Sequence, residues 1–84
     1  MSKSLQARWF KVCEKKALME AEQDVKQKRV LKHQLKTVTR EFRRGVAKEY
    51  GTDEFINFYR DEVTVWAKDY KYKHRVFRYS EPLG

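Results

Sequence analysis

Proline and glycine are nearly missing from this chain: one proline, Pro82, and three glycines, Gly45, Gly51 and Gly84, in 84 residues. Nothing between Ser4 and Gly45 therefore stops a helix, and Ser4 is placed to cap its start. Cysteine is also scarce. Cys13 is alone, which excludes an internal disulfide and favours a reducing or matrix-like compartment. No apolar run approaches the roughly 18 residues that a membrane-spanning helix needs. A Gly-rich phosphate loop, zinc-ligand spacing and a nucleotide fingerprint are all absent from the sequence. The two histidines, His33 and His74, lie far apart, and Cys13 stands twenty residues before His33. On one helix that separation is about 30 Å, too far for a shared metal. Asp53/Glu54 and Asp61/Glu62 resemble paired carboxylates, but helix-start and solvated positions explain them more simply. These gaps argue against an enzyme, a cofactor, a metal and a small-molecule substrate.

Acids are scarce in one half only. Residues 1–48 hold 14 bases and 5 acids, whereas residues 49–84 hold 6 bases and 7 acids. The net charge of +8 thus comes from the first half. Such a field favours nucleic acid, anionic lipid or an acidic protein, although a basic helix face can also be merely solvated. The charge peaks in Lys26–Arg44, where eight bases face one acid, Glu41. Leu31, Leu35, Val38 and Phe42 recur there at intervals of four, three and four. That spacing predicts one helix with a narrow apolar seam and a broad cationic face.

The first thirteen residues carry Lys3, Arg8 and Lys11 without an acid, and Leu5, Trp9 and Val12 share a helical face. This is the composition of a mitochondrial targeting segment, and equally of the first turns of a folded helix. An uninterrupted helix over 4–50 is more polar between Glu14 and Lys28, and it is too long for so short a chain to cover. Either it breaks near Gln23–Lys28 or part of it lies on a partner, the reading adopted here. Gly51 reads as a C-terminal cap and Thr52 as the next N-cap. Phe55, Tyr59, Val63, Trp66 and Tyr70 then recur at helical spacing, and Ile56, Phe58, Val65 and Ala67 widen the stripe beyond one face. After Tyr70 the aromatic residues alternate with bases, which predicts an extended arm or short strand.

The expected fold is therefore all-α: a long basic helix (4–50) in a hairpin with a shorter aromatic helix (52–70), and an extended arm (71–84), in one small domain. Two binding chemistries fit. In the first, the chain docks onto a larger protein complex with an acidic surface. In the second, the cationic face neutralises RNA phosphates while the arm stacks on bases, as in an RNA-binding or mitochondrial ribosome-associated protein. Peripheral contact with an anionic membrane is a further possibility. The candidate partner contacts are Lys28, Arg29, Lys32, Lys36, Arg40, Phe42, Arg43 and Arg44 on the basic helix, Trp66 and Tyr70 on the aromatic one, and Tyr72, Phe77 and Tyr79 on the arm.

Thr37–Tyr70 also resembles the middle of the small mitochondrial LYR-motif proteins. The residues that carry the resemblance are Glu41-Phe42-Arg43-Arg44 at one helix end, a turn with Asp53-Glu54, and an aromatic segment with Phe58 and Glu62. The Leu-Tyr-Arg tripeptide itself does not occur; the nearest string is Leu5-Gln6-Ala7-Arg8. The resemblance implies a basic three-helix matrix protein that serves as an assembly factor or accessory subunit of a respiratory complex. Several such proteins bind the acidic acyl carrier protein. Phe42, Arg43 and Arg44 would then touch the partner. Taken with the acid-free start, it points to a non-enzymatic accessory subunit or assembly factor of a mitochondrial inner-membrane complex, of the respiratory chain or ATP synthase. The expected location is the matrix or the matrix side of the inner membrane, and stability should depend on the partner.

Overall fold

Two helices are followed by a three-stranded antiparallel sheet in the computed structural model, which describes residues 3–67 and 70–82 and side chains from Leu5 onward. The elements are α1 (Lys3–Ala21), α2 (Val25–Tyr50), β1 (Ile56–Phe58), β2 (Glu62–Trp66) and β3 (Lys73–Arg78). The fold is thus mixed α and β, and the all-α expectation is wrong. The proposed capping side chain of Ser4 and the closing Gly84 lie outside the described residues.

The long helix breaks at residues 22–24 and folds back on itself. Glu22 Oε1 accepts the backbone N–H groups of Gln23 and Asp24. Asp24 Oδ1 in turn accepts those of Lys26 and Gln27, so it caps α2 from an extended backbone conformation. The hairpin is therefore made within the basic segment, and no partner has to support a single helix over 4–50. Asp24→Ala should cost about 1 kcal/mol, because two exposed N–H groups lose their acceptor. A urea titration checks this, and an unchanged midpoint would mean the cap is unimportant. At its other end α2 stops at Gly51, whose φ of 84° is a left-handed conformation that glycine adopts without strain.

Residues 52–67, expected to be helical, are strand and turn instead. Val63-Thr64-Val65 is a β-branched run, stiff at χ1 and better suited to a pleated strand. β2 is the central strand, with Ile56 opposite Val65 and Phe58 opposite Val63 on one side. On the other side Phe77 lies opposite Val63 and Val76 opposite Thr64. Thr52, expected to begin a helix, instead accepts the N–H of Glu54 in a tight turn. The arm expected to have no sheet to join supplies β3.

The sheet packs one face on the hairpin. Leu5, Trp9, Val12 and Cys13 line one side of α1 and meet Phe42 and Val46 of α2; Val63, Val65 and Phe77 close the core from the sheet. Trp9 is at its centre, with ring centroids 5.1 Å from Phe42, 5.3 Å from Phe77 and 4.9 Å from Tyr79. Its indole N–H donates to the Arg78 carbonyl at 3.2 Å, tying α1 to the end of β3. Gly45 permits the close approach of the helices, since a Cβ there would stand 3.0 Å from Leu5 Cδ1. The sheet thus provides the cover that an over-wide aromatic helix would have needed from outside.

Candidate functional site

Placing Phe42, Val46 and Leu35 against the core leaves the flanking face of α2 open to solvent. Arg29, Lys32, Lys36, Arg40 and Arg43 follow one another at steps of three, four, four and three residues, and all five are exposed. At 3.6 residues per turn they form one nearly straight row, about 21 Å long. Lys28 and Arg44 are exposed beside it. The acids of α2, Glu41 and Glu49, fall on other faces of the helix, so among the described residues the row meets an acid only at its Arg43 end. Arg43 closes it, with Nε 3.4 Å from Asp53 Oδ2 and its guanidinium 5.8 Å from the Phe58 ring centre. An open groove of about 780 Å³ follows the row and is lined by Met19, Leu35, Lys32, Lys36, Arg40 and Arg43, among others. Like charges at i, i+4 on a helix repel, each pair costing about 0.2–0.5 kcal/mol.

A second cluster lies at the far end of the sheet, where α2 ends. Tyr50 and His74 stack at 4.9 Å with planes 21° apart, and Tyr72 meets His74 at 5.1 Å, nearly perpendicular. Tyr70 contacts Phe55 and Trp66, and Lys73 Nζ lies 5.3 Å from the Trp66 ring centre. Tyr70 and Tyr72 are 48% and 61% exposed, while Trp66 is half-buried. Burial is the main cause that raises the Tyr50 hydroxyl pKa; the Glu49 carboxylate adds to it and Arg75 opposes it.

The other candidates are structural. Phe42 and Phe77 are core residues, 0% and 3% exposed, with rings in a T-shaped contact at 5.0 Å. Tyr79 is half-buried against Trp9, with Lys16 Nζ 4.9 Å from its ring centre. Sequence patterning missed His74 and Tyr50 because they belong to different elements; the Tyr-x-His alternation of Tyr72 and His74 was the available signal. It also missed Arg75, which donates to Gln6 Oε1 at 2.6 Å and anchors β3 to α1.

Cys13 is buried, and burial pushes its thiol up from 9.0 to about 11. Burial likewise raises the hydroxyl pKa of Tyr79, with the neighbouring Cys13 and Glu20 adding to it. In each case the folded state holds its proton more tightly than the unfolded chain does. Stability is therefore intact below about pH 9 and should fall as pH rises from 9 towards 11. Urea midpoints at pH 8 and pH 10.5 test this. Equal midpoints would refute it, and Cys13→Ala should remove part of the drop.

Among the described residues there is no cluster of three or more His, Cys, Asp or Glu side chains placed to hold a metal, and no helix long and apolar enough to cross a membrane. Compared with models of known protein families, with curated proteins and with solved structures, the chain matches none.

Proposed function

We propose that this protein is a non-enzymatic nucleic-acid-binding domain that grips the phosphate backbone along α2. The observation that carries the reading is the row Arg29, Lys32, Lys36, Arg40 and Arg43, exposed along one line, of which Arg43 alone is paired with an acid, Asp53, among the described residues. The core supports it from the other direction. Aromatic residues that would have favoured burial in a large protein assembly, Phe42 and Phe77 above all, are already used internally. What remains outside is cationic and, at the sheet end, aromatic.

Binding through five phosphate contacts has a measurable signature. For a single strand the slope of log K against log salt should be about −3.5, so affinity should fall roughly 100-fold between 50 and 200 mM salt. Fluorescence anisotropy with a labelled oligonucleotide measures this directly. Affinity that stays flat across that range would overturn the proposal.

A second reading, an accessory subunit or assembly factor of a mitochondrial inner-membrane complex, is supported by the free end of the hairpin. Leu18, Val25 and Val30 are 48%, 71% and 48% exposed around the turn between the helices. Sedimentation of the tagged protein in a gentle mitochondrial extract separates the two. Co-migration with a large complex unchanged by nuclease favours the assembly role, and a shift to the top of the gradient after nuclease favours nucleic acid.

A further inference from the structure

We infer that the cleft between the end of α2, the end of β2 and the start of β3 is a nucleobase site, so that the preferred ligand is single-stranded nucleic acid; this rests on the phosphate-binding reading of α2. The cleft encloses about 620 Å³ and is lined by Tyr50, Trp66, Tyr72 and His74, with Lys71 and Glu54 among its polar residues. That volume is in the range of small-ligand sites, and its lining combines aromatic rings with polar and small residues. Planar rings that present themselves to solvent suit another planar ring, and every base has such a face.

Three independent features show that the cleft is built and not left over. The pairing register shifts between Val65 and Trp66, an irregularity of the kind that redirects a side chain next to a binding site. Tyr70 holds a φ of 58°, a left-handed conformation unusual for a bulky residue, with its ring against both Phe55 and Trp66. Trp66 Nε1 is buried beside the cleft with no hydrogen-bond partner among the described residues, an unsatisfied polar group of the kind that functional sites tolerate.

The polar groups fit the same ligand. Lys71 supplies a cation for the phosphate that accompanies the base, and the Glu54 carboxylate accepts from an exocyclic amino group. A base inside a duplex is already stacked on its neighbours and cannot enter such a cleft unless it is flipped out. A single strand offers its bases freely, and aromatic side chains are the usual platform for them.

The test uses the full chain and three labelled probes of about 12 nucleotides, a length within the usual footprint of such platforms. They are a single-stranded RNA, an abasic strand of equal charge, and a blunt duplex. The parent protein should bind the single strand more tightly than the abasic strand, with quenching of the Trp66 fluorescence; Trp9 is sealed in the core and serves as an internal reference. Tyr72→Ala should weaken single-strand binding by roughly 5- to 150-fold. The abasic affinity should stay put, and Tyr72→Phe should restore the single-strand preference. Equal affinity of the parent for the single and abasic strands would overturn the inference, as would unchanged single-strand binding by Tyr72→Ala. Both results leave the phosphate row standing if the salt dependence remains steep. A flat salt dependence with every probe would instead remove the underlying reading.

Discussion

Reversing Lys32, Lys36 and Arg40 together to glutamate is expected to abolish nucleic-acid binding and leave the fold as it is. Each phosphate contact made to a single strand contributes about 0.7 of a power of salt concentration, or roughly 5-fold in affinity at 0.1 M salt. Three contacts therefore account for about 100-fold, and the reversed charges repel the backbone as well. These three positions are chosen because all are exposed and none forms an ion pair among the described residues, whereas Arg43 is paired with Asp53. Lysine, arginine and glutamate have similar helix propensities, so circular dichroism and the thermal midpoint should barely move. The single change Lys36→Glu sharpens the test. It turns two repulsive i, i+4 pairs, with Lys32 and with Arg40, into attractive ones, and should stabilise α2 by about 0.8–2 kcal/mol. Weaker binding with greater stability would show that the row is maintained for its ligand. Triple-variant affinity equal to that of the parent would mean the row is only a solvated face.

The row itself was legible in the sequence because it needs only the helical period. Its side chains are exposed, and the contacts that Arg43 makes with Asp53 and Phe58 do not disturb the pattern. The break between the helices was less legible, although Asp24, followed by the helix-forming Val25–Arg29 stretch, is an N-cap signal. A count of apolar residues along one imagined line from Leu5 to Tyr50 hid the fact that two antiparallel halves supply the same core. The segment 52–70 misled for a different reason. Positions 55, 59 and 63 are spaced by four, which satisfies a helix, but an even spacing also satisfies a strand. Trp66 and Tyr70 seemed to continue the helical stripe, yet in the structure Trp66 lies beyond a register shift and Tyr70 in a turn. The deciding signal was the β-branched run Val63-Thr64-Val65, a local preference outweighed by counting periods. Once that run is a strand, the excess apolar surface needs no outside partner. Phe42 and Phe77, candidates for an interface when the chain was thought to lack cover, become the middle of the molecule.

Trp9→Ala should be the most damaging single substitution, and it tests whether the sheet truly closes the hairpin. Of the two tryptophans, Trp66 is half-buried and Trp9 is 0% exposed. Truncating a fully buried aromatic to alanine costs about 3–5 kcal/mol. Loss of the indole N–H also removes one of two donors to the Arg78 carbonyl, which keeps the Glu81 N–H. A domain of this length has a total stability of roughly 4–13 kcal/mol, so the variant is left marginal or unfolded. The thermal midpoint should drop by about 15–30 °C. Trp9→Phe keeps a ring against Phe42 and Phe77 but gives up the hydrogen bond and the larger volume, and should fall between the two. The position matters beyond the ring's size. Trp9 is on α1, Phe42 on α2 and Phe77 on β3, so its removal loosens three elements at once. A helical hairpin that was stable by itself would keep its far-ultraviolet signal and melt within a few degrees of the parent. That outcome would detach the sheet from the core described here, and with it the aromatic cleft that the sheet positions beside the end of α2.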